Sequence, residues 1–215
     1  MKIAVIGATG LIGVGLVPEA ASRGHAVTAL CRHPEQVPAR ANVTALACDV
    51  FDTAALTAAL RGQDAVIHSY SPRRDHDTDR TAPHVAATRS IIAATRAAGV
   101  KRLLAVGGAG TLLLPDGSKV MDAPNFPPEY RESAISTAQV LVVLREDAAD
   151  LDWTFLSPSL FFDERGRTGQ FRLGLDDALF DSAGHSNISI ADYAVAMIDE
   201  CETPRHTGRR FTVGY

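Results

Sequence analysis

Three glycines near the start of the chain constrain its fold more than any other feature. Gly7, Gly10 and Gly13 form a GxxGxxG pattern that follows the apolar run Ile3–Ile6 and opens the helical pattern Leu11–Ser22. Because glycine has no Cβ, it permits a tight turn and close packing of the helix on the strand. A strand, such a turn and a helix predict a pyrophosphate site at the helix N-terminus, where backbone N–H groups are unpaired. A purely structural turn is the alternative.

Short apolar runs alternate with helical patterns along the rest of the 215 residues. The predicted strands are Ala26–Leu30, Val43–Ala47, Ala65–His68, Leu103–Val106, Trp153–Leu156 and Arg210–Val213, and the predicted helices are Thr53–Leu60, Ala82–Ala98, Glu132–Ala149 and Ile190–Glu200. This order predicts an α/β, doubly wound, Rossmann-type fold with a mostly parallel sheet and helices on both faces. The irregular stretch Phe161–Gly174 predicts a small C-terminal substrate-covering region. The length favours a single domain over residues 1–215.

Two further segments interrupt the alternation. Ser71–Thr81 is polar and charged, and Leu114–Tyr130 is rich in Pro, Asp and Gly. Both follow predicted strands, so we expect both at the carboxyl edge of the sheet, where ligands bind in folds of this kind. Long loops at that edge are usually functional or mobile.

The charge pattern argues against nucleic-acid binding. The formal net charge is −4, and the best cationic clusters are the short pairs Arg73-Arg74 and Arg209-Arg210. Such pairs are typical of a solvated surface rather than of a basic stripe. We therefore expect no nucleic-acid partner. The sequence does not decide between a monomer and a homodimer.

The sequence also predicts a cytoplasmic protein. No stretch is long and apolar enough to span a bilayer, and the run Met1–Gly7 is too short for a secretory leader. The three cysteines, Cys31, Cys48 and Cys201, are too sparse for a disulfide framework. They are typical of a reducing compartment. We expect no membrane partner.

The end of the second predicted strand indicates which dinucleotide binds. NAD binders usually carry an acid there, whereas this chain has Arg32, 19 residues beyond Gly13, and no acid before Glu35. A guanidinium fork suits a 2′-phosphate, so NADP(H) is preferred and NAD(H) remains possible. The alternative is that Arg32 is a surface residue and both cofactors bind. Asp49, after the third strand, is expected at the adenine or, alternatively, as an acid at the start of a helix.

Several motifs occur in an order that resembles a known family. They are Gly7-Ala8-Thr9-Gly10-Leu11-Ile12-Gly13, Arg32, Asp49-Val50, Val106-Gly107-Gly108-Ala109-Gly110 and Asp152-Trp153-Thr154-Phe155-Leu156-Ser157-Pro158. In these the chain resembles the atypical short-chain dehydrogenase/reductases with an NAD(P)H-binding domain, particularly the NADH-flavin reductase-like proteins akin to biliverdin reductase B. The tail motifs Arg167-Thr168-Gly169, Ile188-Ser189-Ile190-Ala191-Asp192-Tyr193-Ala194 and Arg210-Phe211-Thr212-Val213-Gly214-Tyr215 extend the resemblance over the whole chain.

The resemblance implies a set of cofactor contacts. The pyrophosphate is expected against Gly7, Thr9, Gly10, Leu11 and Ile12, the adenosine end against Arg32, and the adenine between Asp49 and Val50. His68 and Ser69 are expected beside the pyrophosphate and the nicotinamide ribose. The nicotinamide is expected over Gly107, Gly108 and Ala109, facing Ser157 and Pro158.

One departure from short-chain dehydrogenases affects the expected chemistry. Those enzymes use a Tyr-x-x-x-Lys pair in which the lysine lowers the tyrosine pKa for proton transfer. Here Tyr130 is followed four residues later by Ala134, and no serine follows the fifth strand. Carbonyl reduction by that relay is therefore disfavoured. Reduction of a flavin or quinone needs less from the protein, because solvent can supply the proton.

Three residues are candidates for direct action on a substrate. Tyr130 is the candidate proton donor, although a loop tyrosine capping a pocket is the equal alternative. Thr111 is a candidate hydrogen-bond donor, and Ser157 is held extended by the following Pro158. His68 is more typical of a structural histidine than of a catalytic one. No His, Cys or acidic cluster has metal-ligand spacing, so no metal is predicted.

Taken with the resemblance, these residues predict an NAD(P)H-dependent oxidoreductase. Hydride would pass to a small-molecule acceptor, namely a flavin, a quinone or a similar conjugated compound. The alternative is a non-catalytic NADP(H)-binding redox sensor of the NmrA-like type, which the lost Tyr/Lys pair favours. An epimerase or dehydratase acting on a nucleotide sugar is disfavoured, because the C-terminal region is short for such a substrate.

Overall fold

The computed structural model describes residues 1–72 and 79–215. Its strands are β1 (Lys2–Ile6), β2 (Ala26–Cys31), β3 (Val43–Ala47), β4 (Ala65–His68), β5 (Arg102–Val106), β6 (Asp152–Ser157), β7 (Phe161–Asp163), β8 (Arg172–Gly174), β9 (Asn187–Ser189) and β10 (Arg209–Gly214). Its α-helices are α1 (Gly13–Ser22), α2 (Thr53–Leu60), α3 (Thr81–Ala97), α4 (Pro128–Asp147) and α5 (Ile190–Glu202). The predicted pair Arg73-Arg74 and most of the segment Ser71–Thr81 lie outside the described residues.

The main sheet has eight strands in the order β3-β2-β1-β4-β5-β6-β10-β8. Its strands are parallel except for β8, which runs antiparallel to β10 at one edge. Strands β7 and β9 form a separate parallel pair. The chain order reverses between β1 and β4, which is the point where doubly wound folds bind their ligands. The predicted α/β, doubly wound, Rossmann-type fold is confirmed.

Each face of the sheet has its own apolar core. Ile3 and Val5 of β1 belong to the core that α1 and α5 cover, whereas Ala4 and Ile6 belong to the core beneath α2, α3 and α4. All four side chains are at most 1% exposed. Alternate residues of a strand point to opposite faces, so a strand covered on both sides is apolar without interruption. This explains the compact apolar run at the start of the chain.

Three helices begin at residues other than those predicted, α3 by a single residue, at Thr81 rather than Ala82. Helix α1 begins at Gly13 rather than Leu11, because the preceding residues form the glycine turn. Helix α4 begins at Pro128 rather than Glu132. Proline suits the first helical position, where its missing N–H would have had no partner. Tyr130 therefore lies in the first turn of α4 and not in a loop.

The short strands β7, β8 and β9 were not predicted. Each has three residues, too few to show the alternation of a half-buried strand. The predicted stretch Phe161–Gly174 contains β7 and β8, of which β8 joins the edge of the main sheet and β7 pairs with β9 beside it. Within the described ranges, no helix combines the length and apolar character needed to cross a membrane.

A buried ion pair joins β5 to α5 across the sheet. Arg102 donates from Nη2 to Glu200 Oε1 at 2.9 Å and from Nη1 to Thr154 Oγ1 at 2.7 Å. Glu200 also accepts the backbone N–H of His206 at 2.9 Å. Burial lowers the pKa of Arg102, and the Glu200 charge opposes that change. A buried pair of this kind is costly to break because one charge remains without its partner.

We expect Glu200→Ala to lower the free energy of unfolding by about 3–5 kcal/mol, because Arg102 then stays buried without its carboxylate. Urea unfolding followed by circular dichroism measures the change. The matched control is Asp150→Ala, which removes the exposed Arg96–Asp150 pair. An exposed pair contributes little. Equal losses in the two variants would contradict the importance assigned to burial.

Candidate functional site

A long cleft of about 1340 Å³ lies at the carboxyl edge of the parallel strands. It extends from the ends of β2 and β3, past the glycine turn after β1, to the ends of β5 and β6. The predicted segment Leu114–Tyr130 and the C-terminal region both contribute lining residues. The cleft has three parts, named after the contacts that the sequence predicts for them: an adenosine end at β2 and β3, a phosphate turn after β1 and an acceptor half at β5 and β6.

The phosphate turn needs its glycines for steric reasons. Gly7 has φ +84°, and a Cβ on it would lie 2.6 Å from the carbonyl oxygen of Ser69. A Cβ on Gly13 would lie 2.2 Å from the carbonyl oxygen of Gly7. The Gly7 N–H donates to Leu30 O at 2.9 Å, which fixes the turn to the end of β2. A side chain at either position would displace the turn from the sheet.

The turn presents unpaired donors to the cleft. Among residues 1–72 and 79–215, the backbone N–H groups of Leu11 and Ile12, which line the cleft, have no hydrogen-bond acceptor. The N–H of Gly13 also has none, but Gly13 is buried and does not line the cleft. The first turn of α1 contains no acidic residue, so nothing there competes for the positive end of the helix dipole. Unpaired N–H groups at a helix N-terminus are what a pyrophosphate requires. This part of the chain therefore fits a dinucleotide.

The adenosine end contains the residues predicted for it. Arg32, Asp49 and Val50 all line the cleft. Arg32 is exposed and makes no hydrogen bond or ion pair with a described residue, so its guanidinium is available to a ligand. Asp49 Oδ1 accepts the Phe51 N–H at 3.0 Å, which fixes the carboxylate at the rim.

Sequence reasoning missed other residues at this end. Phe51 and Tyr70 line the cleft, and their rings meet edge to face with centroids 6.2 Å apart. Burial raises the pKa of Tyr70, whereas the nearby Arg32 charge lowers it. Cys48, His33 and Gln36 also contribute. Phe51 directly follows Val50 and Tyr70 directly follows Ser69, both predicted cofactor contacts. Their positions shortly after strand ends were the available signal that they line the cleft.

The side chain of His68 does not line the cleft, contrary to expectation, although Ser69 does. His68 is 1% exposed, and its Nε2 lies 3.1 Å from Thr88 Oγ1. Alternate residues of a strand point to the same face of the sheet. His68 ends the fully buried strand β4, so its side chain points into the core. His84, beside it, lines the cleft and contacts Ser136 Oγ at 2.8 Å and Tyr70 O at 3.2 Å.

Burial sets the protonation of both histidines. It lowers the pKa of His68 to about 3, with the His84 charge acting in the same direction. It lowers the pKa of His84 to about 4, although a hydrogen bond from the ring to the Tyr70 backbone opposes it. Both rings are therefore neutral near pH 7. A neutral His68 with its side chain in the core agrees with the structural interpretation of this residue.

The floor of the acceptor half is built from glycines. Gly107, Gly108 and Ala109 line the cleft as predicted. A Cβ on Gly107 would lie 2.4 Å from Phe155 Cε1, so only glycine fits between this turn and β6. Pro158 also lines the cleft. These positions place a flat floor beside the phosphate turn.

Two of the three predicted catalytic residues lie outside the cleft lining. Ser157 is 0% exposed within the sheet, and its carbonyl accepts the Thr212 hydroxyl at 3.0 Å. Thr111 is held from behind, because Arg210 donates to its carbonyl oxygen at 2.9 Å and to its Oγ1 at 2.8 Å. Strand alternation directs the Ser157 hydroxyl away from a substrate. The contact with Arg210 does the same for the Thr111 hydroxyl. The expected substrate contacts of Ser157 and Thr111 are therefore corrected.

Tyr130 does line the cleft, on one face of α4 with Ser133, Ala134 and Thr137. Residues three, four and seven apart share a helix face. Ala134 occupies the position of the relay lysine, and a Cβ on Gly110 would lie 2.8 Å from its Cβ. The small pair lets α4 approach the floor closely.

Aromatic side chains form the walls of the acceptor half. Phe126, Phe161, Phe162 and Phe180 line it together with Leu114 and Leu160. Phe161 is 59% exposed, a large apolar surface to leave in water without a ligand. The segments Leu114–Tyr130 and Phe161–Gly174 were predicted to lie at the site, but no pattern singled out these individual side chains, and Phe180 lies outside both segments.

The fold and the cleft together define a Rossmann-type, dinucleotide-binding α/β protein. The chain belongs to the NAD(P)H-binding family, whose model matches residues 7–201. This confirms the resemblance to NAD(P)H-binding, oxidoreductase-like proteins that the sequence motifs indicated. The residues of the phosphate turn lie within the matched range.

Individual relatives match over nearly the full length. The chain is 40% identical over 218 residues to YwnB of Bacillus subtilis, a protein of uncharacterised function, and the match covers 99% of this chain and 98% of YwnB. A Burkholderia pseudomallei structure, described as a candidate exported protein, is 42% identical with a TM-score of 0.88, covering 100% of both chains. A Streptococcus pneumoniae structure, described as a candidate NADH-flavin reductase, is 33% identical with a TM-score of 0.83, covering 100% of this chain and 99% of the other.

We expect acid to destabilise the protein through the two histidines. In the unfolded chain they bind protons near the ordinary pKa of 6.5, whereas in the folded protein the pKa values are about 3 for His68 and about 4 for His84. The unfolded state therefore binds more protons as the pH falls from 6.5 towards 4, and the free energy of unfolding falls with it. Urea unfolding at several pH values measures the slope. His84→Asn should make the slope shallower, and an unchanged slope would contradict this assignment.

Proposed function

We propose that this protein is an NADP(H)-dependent oxidoreductase whose acceptor is a flat, conjugated compound such as a flavin or a quinone. The observation that carries the proposal is the continuity of the cleft: one cavity joins the unpaired N–H groups of the phosphate turn to an apolar, aromatic-walled half. A site of that shape brings a nicotinamide and a planar ring together. The cofactor would supply the hydride.

The protein's own residues would bind and orient the two reactants. The N–H groups of Leu11 and Ile12 would hold the pyrophosphate. The turn at Gly107 and Gly108 would support one face of the nicotinamide, leaving the other face to the acceptor. Holding two reactants in register contributes a large part of the rate in reactions of this kind. The aromatic walls would exclude water from the acceptor half.

The character of the acceptor follows from what the site lacks. Ala134 stands where the short-chain dehydrogenase relay places its lysine, so the usual proton relay to a carbonyl is missing. A flavin or quinone can take hydride and then receive its proton from solvent. The aromatic side chains favour such rings by stacking and by apolar burial. The site thus supports a conjugated acceptor better than a simple carbonyl.

The preference for NADP(H) rests on the end of β2. Arg32 is exposed at the cleft, and a guanidinium pairs well with a phosphate dianion. No acid stands at this strand end to bind the hydroxyl groups of an unphosphorylated ribose. These two facts favour the 2′-phosphorylated cofactor.

A cytoplasmic, reducing location is part of the proposal. Cys31, Cys48 and Cys201 are all free thiols, which such a compartment would preserve. We propose a small-molecule acceptor as the partner, with no nucleic acid or membrane involved, and either a monomer or a homodimer as the assembly. Cell fractionation with a tagged chain tests the location, and recovery in the medium would overturn it.

Anaerobic oxidation of NADPH tests the proposed function. We expect oxidation with FMN or menadione, little with a simple aldehyde, and loss of activity in Gly10→Val, because a Cβ there already lies 3.2 Å from Gly7 O. Circular dichroism checks that the variant is folded. Bound NADPH with no oxidation by any acceptor would overturn the reductase proposal and favour the redox sensor.

Tyr130→Phe separates hydride transfer from protein-assisted proton transfer. We expect kcat with menadione to change less than about threefold, because the reduced acceptor takes its proton from solvent. General acid catalysis would contribute about 10²-fold or more. A loss of that size in kcat would therefore identify Tyr130 as the proton donor. Arg61→Ala, which alters an exposed residue outside the cleft lining, is the control.

Arg32→Ala tests the cofactor preference. We expect the Kd for NADPH to rise about 10-fold or more, since a hydrogen bond to a charged group contributes roughly 1.5–3 kcal/mol. The Kd for NADH should stay within about twofold, because that cofactor has no 2′-phosphate for Arg32 to bind. Fluorescence titration measures both constants. Equal weakening of the two cofactors would contradict the role of Arg32.

A further inference from the structure

We infer that Arg210 is a positioning residue that holds the acceptor half of the cleft in place without lining the cleft itself. The inference rests on the proposed function, because it assigns that half to the hydride acceptor. Arg210 lies on β10, is 7% exposed, and is not among the described residues that line the cleft. Its guanidinium instead contacts two segments that do contribute lining residues.

The first of these segments is the floor. Nη1 of Arg210 donates to the carbonyl oxygen of Thr111 at 2.9 Å and to its Oγ1 at 2.8 Å. Thr111 ends the short 3₁₀ turn Ala109–Thr111, whose first two residues line the cleft. Arg210 therefore holds the end of the turn that continues the floor beneath the proposed nicotinamide position.

The second segment is the aromatic wall. Nε of Arg210 donates to Asp176 Oδ1 at 2.9 Å, and Nη2 donates to the same oxygen. The backbone beside Asp176 pairs with the floor segment, since Leu113 N–H donates to Asp176 O at 2.9 Å and Ala178 N–H donates to Leu113 O at 2.9 Å. This backbone leads to Phe180, whose carbonyl oxygen accepts from Arg172 at 2.7 Å.

Arginine suits this position because of its shape. Its planar fork presents donors in two directions, whereas an ammonium is a single point of charge. One side chain can therefore hold the floor turn and the wall segment in a fixed relation. A shift of about 1 Å in a reactant can cost about 10²-fold in rate, so contacts that hold reactants in place affect turnover without touching substrate.

Asp176 allows positioning to be separated from folding. Its side chain is 56% exposed, so the carboxylate lies at the surface although Arg210 is buried. An exposed carboxylate contributes less to the free energy of unfolding than a buried one such as Glu200, and urea unfolding checks that each Asp176 variant is folded, because Arg210 itself stays buried. Removing the Asp176 carboxylate should loosen the wall while the sheet stays folded. Ligand affinity at the adenosine end, which lies at the other end of the cleft, should not change.

The test compares Arg210→Met, Asp176→Ala and Asp176→Asn with the matched control Arg209→Met, an exposed neighbour on the same strand. We expect KM for menadione to rise at least about fivefold in the first two variants, as loss of one charged hydrogen bond implies. Asp176→Asn should stay within about twofold of the wild type, because its amide oxygen still accepts from Arg210. The Kd for adenosine 2′,5′-bisphosphate should be unchanged in every variant, since this ligand occupies only the adenosine end.

An unchanged KM for menadione in Asp176→Ala overturns the inference, whether or not Arg210→Met folds. So does equal damage by Asp176→Asn and Asp176→Ala, because the accepting oxygen would then not matter. A weaker Kd for the bisphosphate in Asp176→Ala overturns it as well, because the effect would then extend beyond the acceptor half.

Failure of the proposed function is recognised separately. A different outcome is that the wild type oxidises NADPH with none of the acceptors tested. In that case menadione is titrated against the NADP⁺-loaded protein, and its binding is followed by quenching of protein fluorescence. At least about fivefold weaker binding to Asp176→Ala than to the wild type supports the positioning role without turnover. Equal binding to the two proteins, or no saturable binding to the wild type, overturns it.

Discussion

The close approach of the phosphate turn to the sheet is the constraint on which the rest of the structure depends. Gly7 lies so near the backbone after β4 that a Cβ would sit 2.6 Å from Ser69 O. That contact aims the N-terminus of α1 at the cleft. Gly15 then lets the same helix approach α5, since a Cβ there would lie 2.8 Å from Ile190 Cγ2. One steric requirement therefore sets both the anion site and the packing of one face.

The buried histidines extend this constraint along the cleft. The Tyr70 N–H lies 3.3 Å from His68 Nδ1, and the Tyr70 carbonyl oxygen lies 3.2 Å from His84 Nε2. Both rings stay neutral because burial disfavours the charged form. They thus fix the Tyr70 backbone without placing a charge beside the proposed cofactor site. Their role follows from hydrogen bonding rather than from acid–base chemistry.

The acceptor half is assembled differently from the cofactor half. The phosphate turn and the adenosine end come from the first strands and rest on the sheet itself. The acceptor half combines a floor after β5, the first turns of α4 and the C-terminal region. Arg210 and Asp176 connect two of these parts through side-chain hydrogen bonds. Variation in such loops can change the acceptor while the cofactor site stays intact.

The sequence by itself determined the fold class, the phosphate turn and the strand-end residues that line the adenosine end. In a parallel sheet, residues that directly follow strands must meet at one edge, so Gly7, Arg32 and Asp49 were predictable from position alone. Only the tertiary structure decided the acceptor half. A side chain near a strand end can point into the cleft or into the core, and packing directed Ser157 and His68 into the core. Helix α4 began at Pro128 and carried Tyr130 into the cleft, while long-range contacts gathered the phenylalanines, which no local pattern encodes.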